Sequence, residues 1–270
     1  MICVGIDAGS RAVKALALDA PGLETIGAMV TDQGVQQQET GDRIFARLLA
    51  AHGLAPGDVA RTVATGYARN LVSAADTTVT EITCHACGVH HRLAEARTVV
   101  EIGGQDSKLL RLQADGSVRD FAMNDRCAAG TGRFLEMVAD KLEVPLADLG
   151  ALASRSAAPA AISSMCAVFA ETEIIGLLAS GTEPKDIIAG VFGAIAARAT
   201  TLAGPRLEPP VAFTGGVAMV AGMDKALAEA IGHDVAVVPD PQFTGALGAA
   251  LLAARQCHPA PEDRGPTGGM

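Results

Sequence analysis

The sequence predicts an α/β protein made of two similar halves. Three observations carry this. A strand–turn–strand pattern occurs twice, at residues 2–18 and again at 98–112. Each copy turns on glycine next to a carboxylate: Asp7 with Gly9, then Asp106 with Gly103 and Gly104. A further short strand, 211–214, runs directly into Gly215-Gly216.

Taken in order, residues 2–7 form an apolar run that reads as a buried strand, and 13–18 alternate as its return partner. Residues 42–51 carry apolar side chains at helical spacing (Ile44, Leu48, Ala51) and stop at Gly53. A short strand at 61–65 closes on Gly66. The second copy follows, with strands at 98–102 and 108–112. Helices are expected at 131–142, 167–180, 185–204 and 222–232. Pro184 suits a helix start, and Gly181 and Gly232 suit helix ends. A last strand at 235–238 stops at Pro239, and 244–255 is a helix of small residues. The Pro/Gly-rich stretch 257–270 reads as a flexible tail that leaves Cys257 exposed.

The chain has 270 residues, 49% of them hydrophobic, which supports one large core or two small ones. Aromatic residues make up 3%, so small residues must pack helices and strands closely. A net charge of -9 argues against nucleic acid as the partner, because a phosphate backbone calls for a basic face. No uncharged apolar run is long enough for a membrane span, and the first residues lack a basic leader, so a cytoplasmic location is expected.

The glycine turns suit a polyphosphate. Glycine lets backbone N–H groups reach phosphate oxygens, and a carboxylate on each turn can hold Mg²⁺ and orient water. The candidates are Asp7, Gly9, Ser10 and Lys14 on the first turn, and Gly103, Gly104, Asp106, Ser107 and Lys108 on the second. Gly215 and Gly216 leave room for a purine and ribose. A single such hairpin is an ordinary turn; the ordered set of three is what carries specificity. No Gly-x-x-x-x-Gly-Lys-Ser/Thr loop occurs, which excludes a P-loop NTPase.

Two of the six cysteines, Cys127 and Cys166, precede helical stretches. A helix N-terminus favours a thiolate or an anionic iron–sulfur cluster. Because a [4Fe–4S] cluster usually takes four thiolates, two per chain favour a homodimer that shares one cluster on its axis. The bland alternative for each is a small buried hydrophobe. Cys84 and Cys87, with His90 and His91 nearby, hint at zinc or redox chemistry but lack a second Cys-x-x-Cys, and read as a partly buried helix start near the cleft. Cys3 reads as core. Met219 and Met223 read as packing residues, and Glu171 and Glu173 as a solvated helix face or an interface.

The segments 101–108, 124–135 and 166–171, together with 239–248, resemble the activator proteins of 2-hydroxyacyl-CoA dehydratases. That family also holds the ATPase subunits of benzoyl-CoA reductase and the reductases of double-cubane cluster proteins. The resemblance spans about residues 2–254. It implies an actin/Hsp70/sugar-kinase (ASKHA) fold with ATP between two RNase-H-like halves, 1–94 plus 240–256 and 95–239. It implies a homodimer bridged by one [4Fe–4S] cluster through Cys127 and Cys166. It further implies ATP-driven transfer of single electrons to a 2-hydroxyacyl-CoA dehydratase or a related CoA-ester reductase, with a ferredoxin or flavodoxin upstream. Asp7 and Asp106 then handle Mg²⁺ and water, and Gln105 orients the attacking water. One departure stands out: many relatives carry a basic residue and then Asn where this chain has Met219 and Val220. A small-molecule kinase of the same fold, with no need for Cys127 or Cys166, is the alternative reading. A nucleotide-sensing module without turnover is a third.

Overall fold

The computed structural model describes residues 1–164, 166–204 and 207–257. Among these, the strands are β1 (Ile2–Ala8), β2 (Ala12–Asp19), β3 (Glu24–Asp32), β4 (Val59–Thr65), β5 (Thr77–Thr78), β6 (Thr98–Ile102), β7 (Ser107–Leu112), β8 (Val118–Asn124), β9 (Val211–Thr214) and β10 (Val235–Val237). The helices are α1 (Gln37–Ala51), α2 (Glu81–Arg92), α3 (Gly132–Lys141), α4 (Leu149–Ala153), α5 (Ala167–Ala179), α6 (Pro184–Ala203), α7 (Met223–Ile231) and α8 (Thr244–Cys257).

They form two five-stranded sheets of the same design. One has the order β3-β2-β1-β4-β5, the other β8-β7-β6-β9-β10. In each, three antiparallel strands make a meander and two parallel strands extend it. This duplicated mixed sheet is the actin/Hsp70/sugar-kinase architecture. The repeat runs deeper than two strands, because the third meander strands, β3 and β8, have no counterpart in the sequence reading. Both are edge strands with much of their length exposed. Backbone pairing to β2 and β7 holds them, so they need little apolar alternation. α1 also begins earlier than the sequence spacing predicts, with a polar first turn from Gln37.

The layers run α1, first sheet, the α2–α8 pair, second sheet, then α6 and α3. Ile44, Leu48 and Leu49 of α1 pack on the outer face of the first sheet. α8 covers the inner face, against Cys3, Leu16, Leu18 and Val63. α2 faces the second sheet through Ala86 and Val89, which meet Val99, Leu110 and Ala212. The α2–α8 contact explains the abundance of small residues. A Cβ on Gly248 would stand 1.8 Å from the Cys84 carbonyl oxygen, and one on Gly88 2.1 Å from that of Thr244. Only glycine lets these backbones approach so closely.

α6 is, among the described residues, the one helix long and apolar enough to cross a membrane, and half of that stretch is buried in the protein. Ile187, Ile188, Val191, Phe192 and Ile195 fill the core of the second half. Pro184 starts this helix, and the left-handed Gly232 ends α7, as their positions in the sequence suggest.

The assignment of Cys257 to an exposed tail needs correction. Cys257 is the last residue of α8 and half-buried, with its Sγ 3.8 Å from that of Cys3. Burial, reinforced by Cys257, pushes the Cys3 thiol up to about 12. The rest of the expected tail, 258–270, lies outside the described residues.

Candidate functional site: a cleft between the two glycine turns

A cavity of about 730 Å³ opens between the sheets. The β1–β2 turn enters it from one side and the β6–β7 turn from the other. Of the residues singled out in the sequence, Asp7, Gly9, Ser10, Lys14, Gly103, Gly104, Gln105, Asp106, Gly215 and Gly216 all line it. Ser107 and Lys108 do not. They are buried behind the turn, because β7 begins at Ser107 and Lys108 points into the protein. Val220 lines the cavity; Met219 does not and is exposed, contrary to its reading as a packing residue. Met223 is fully buried.

The register revises the pairing of carboxylates. Asp7 sits in β1 opposite Lys14, and Glu101 sits in β6 opposite Lys108. Each stands two residues before the first glycine of its turn. The structural counterpart of Asp7 is therefore Glu101, and Asp106 belongs to the turn itself. The signal was present in the sequence as Asp-Ala-Gly and Glu-Ile-Gly, but the acid already visible in the second turn masked it.

Asp7 is buried, with Oδ2 3.3 Å from the Lys14 ammonium and Oδ1 without a hydrogen-bond partner. A buried, unpaired carboxylate oxygen facing a cavity is a place for a cation or its water. Burial opposes the charge on Lys14, but Asp7 and Glu101 outweigh it and raise the ammonium above its usual range.

Behind the turns lies an ionic cluster that the sequence did not reveal. Lys108 Nζ donates to Asp106 Oδ2 (2.7 Å), Glu81 Oε1 (2.9 Å) and Glu101 Oε2 (3.0 Å). Burial works against this charge, yet Glu101, Glu81 and Asp106 together raise it well above the ordinary lysine value. Burial pushes the Glu101 carboxyl up, with Lys108 and His85 pulling the other way. Burial also acts against Glu81, but His85, whose Nε2 lies 3.7 Å away, and the Lys108 charge hold it well below the carboxylate range.

Glu81 and His85 are four residues apart on α2, so both face the cleft. Thr80 caps that helix by accepting from the Thr83 N–H. Glu81, His85 and Glu101 each offer one ligand atom, all within 4.8 Å of one another, and such a set can hold a divalent cation. Cys84 and Cys87 face away, buried among the small residues of α8, and burial pushes Cys84 up to about 12. The expected helix start is present, but both thiols are buried rather than partly buried.

Gly215 is required by its surroundings. Its φ is +91°, and a Cβ would stand 2.3 Å from the Ile102 carbonyl oxygen. This glycine lets the end of β9 pass close to the end of β6.

The two singled-out cysteines lie on the second half. Asn124 accepts from the Cys127 N–H (3.1 Å) and donates to its carbonyl (2.9 Å), fixing the backbone there. A single 3-10 turn, Ala128–Gly130, separates Cys127 from α3. Cys166 is exposed and stands at the N-cap of α5. Arg198 of α6 touches both segments. Its Nη2 donates to the Ser164 carbonyl (2.7 Å), and its side chain borders Gly130. Lys141 of α3 and Glu171 of α5 form an ion pair at 2.7 Å.

Glu173 does more than face solvent. It accepts from the Ser163 N–H and hydroxyl and from the Ser164 N–H. Burial would raise its carboxyl, but these bonds lower it to about 2. α5 itself leaves Val168, Phe169 and Ile175 exposed and buries only Ala170 and Ile174 among its residues.

The phosphate turn and the cysteine segment are in direct contact. The Gly132 N–H donates to the Gly103 carbonyl, and that of Arg133 to the Gly104 carbonyl, both at 2.9 Å. The first turn of α3 is thus bonded to the second glycine turn.

Comparison with known proteins finds close relatives of the whole chain. The activator of lactoyl-CoA dehydratase from Anaerotignum propionicum is 44% identical over 254 residues, covering 94% of this chain and 97% of the relative. The solved (R)-2-hydroxyglutaryl-CoA dehydratase component A of Acidaminococcus fermentans superposes with a TM-score of 0.90 at 40% identity, covering 95% of this chain and 98% of that one. The activator of 2-hydroxyisocaproyl-CoA dehydratase from Clostridium difficile, solved with bound ADPNP, gives 0.89 at 39% identity, covering 95% of each chain. The model of the BadF/BadG/BcrA/BcrD ATPase family matches residues 4–253, and the chain belongs to that family.

Proposed function

We propose that this protein hydrolyses ATP to donate single electrons to a 2-hydroxyacyl-CoA dehydratase or a related CoA-ester reductase. In this reading two copies of the chain share one [4Fe–4S] cluster, held by Cys127 and Cys166 of each, in the cytoplasm. The donor set fits. Cys166 is exposed at a helix N-cap, Cys127 is anchored by Asn124, and the adjoining face of α5 is apolar and uncovered. When bound, the cluster supplies a low-potential one-electron donor.

The chain's own residues do the rest. Backbone groups of Gly9, Ser10, Gly103 and Gly104 cradle the phosphates. Asp7 and Asp106 hold Mg²⁺ and its waters, with Glu101 beside them, and Gln105 orients the attacking water. Lys108 stays behind the turn and keeps Asp106 aimed. Gly215 and Gly216 seat the nucleoside.

The observation that carries the proposal is the pair of backbone hydrogen bonds joining Gly103 and Gly104 to the start of α3. A shift of the phosphate turn on nucleotide binding moves the helix that follows Cys127, and the buried core that Leu135 and Val138 of α3 share with Ala170 and Ile174 of α5 passes it on. The two halves, 1–94 plus 240–256 and 95–239, are the bodies that move.

Oxygen-free purification under reducing conditions tests this. The wild type should carry about four iron atoms per two chains. Cys127→Ala should lose the iron and keep nucleotide binding. A wild type without iron would sink the proposal.

A further inference from the structure

Three cations of the lysine and arginine type line the cavity: Lys14, Arg69 and Arg11. Lys14 is engaged with buried Asp7, and Arg69 donates to the Gly66 carbonyl at 3.0 Å. Arg11 differs. It sits at the tip of the β1–β2 turn, and a Cβ on Gly104 would stand 2.5 Å from its own Cβ. Arg11 therefore stands where the two glycine turns meet. From there its Nε donates across the cleft to Glu136 Oε1 on α3 (2.8 Å), and its Nη1 donates to Asp32 Oδ1 (3.0 Å). Glu136 is also held by Arg133, at 2.9 Å.

We infer that Arg11 reads the terminal phosphate of the nucleotide, and that Glu136 is the partner it leaves to do so. This rests on the reading that ATP occupies the cleft. The guanidinium is about half exposed, Asp32 is largely in solvent, and Glu136 keeps about a fifth of its side chain exposed. Ion pairs so exposed are weak, because water screens them. A terminal phosphate with its anionic oxygens is a stronger, bidentate partner for the same fork. A diphosphate presents less charge at that depth and leaves the pair with Glu136 intact. Exchange of partners leaves Glu136 to Arg133 alone, on α3, the helix already bonded to Gly103 and Gly104. Arg11 is thus a specificity-determining contact for triphosphate over diphosphate, and the release of Glu136 loosens the helix that follows Cys127.

The test is calorimetric titration of the full chain with ADPNP and with ADP. Arg11→Gln should weaken ADPNP about tenfold and change ADP by less than about twofold. Glu136→Gln should tighten ADPNP several-fold by removing the competitor, and that gain should vanish when Arg11→Gln is added. Equal losses for both nucleotides in Arg11→Gln would overturn the inference and leave nucleotide binding standing. So would a Glu136→Gln effect that persists without Arg11. A wild type that binds neither nucleotide would overturn the inference together with the reading of the cleft.

Discussion

Replacing Lys108 with methionine isolates the buried ionic cluster. The side chain keeps its length and loses its charge, at a position only 2% exposed. Its ammonium bridges Glu81, Glu101 and Asp106 at 2.9, 3.0 and 2.7 Å. Removing one partner of a buried ion pair leaves an uncompensated charge and costs about 3–5 kcal/mol. For a chain of this size, that lowers the melting temperature by about 6–20 °C.

The loss should depend on pH. Burial already raises the Glu101 carboxyl, and a raised group stabilises the fold below its unfolded value and ceases to do so as pH rises through its folded value. Without Lys108 the Glu101 carboxyl rises further. Glu81 is lowered in the intact protein, so its stabilisation is present above the unfolded glutamate value and fades as pH falls. The Glu101 trend makes the deficit of Lys108→Met large at pH 8 and smaller toward pH 5, while the Glu81 contribution stays constant over that range and fades only below it. Glu101→Gln in the same chain should recover part of it. Thermal and denaturant unfolding across that range is the assay. A deficit under about 1 kcal/mol, or one that stays constant with pH, would refute the account of the cluster.

Two further outcomes are expected. Gly215→Ala should destabilise by roughly 1–3 kcal/mol and weaken nucleotide binding, because the residue has φ +91° and no room for a Cβ. Gly216→Ala, with nothing within 4 Å of the added carbon, should leave stability within about 0.5 kcal/mol; equal unfolding midpoints for the two variants would contradict the geometry. Glu173 holds the segment before Cys166, and its carboxyl is lowered to about 2. Its support is present above the unfolded glutamate value and lost as pH falls toward about 2, so the Ser163 and Ser164 amides should lose hydrogen-exchange protection over that window and in Glu173→Gln at neutral pH.

The local elements and the chemistry they can carry are legible in short stretches of the chain. Apolar runs such as 98–102, glycine turns such as 103–104 and the stops at Gly181 and Gly232 are local signals, since each residue acts through its own backbone freedom or side-chain period. The resemblance of 124–135 and 166–171 to a family placed the two cysteines in context. Tertiary structure alone decided which charges meet. Glu81 lies 27 residues from Lys108, and Arg11 lies 125 residues from Glu136, so no window of sequence contains either pair. The same holds for the edge strands β3 and β8, which exist because a neighbour offers them backbone partners. The matching Asp-Ala-Gly and Glu-Ile-Gly hint at the counterpart of Asp7, and strand register decides it, because register fixes which carboxylate ends a strand and which merely rides its turn.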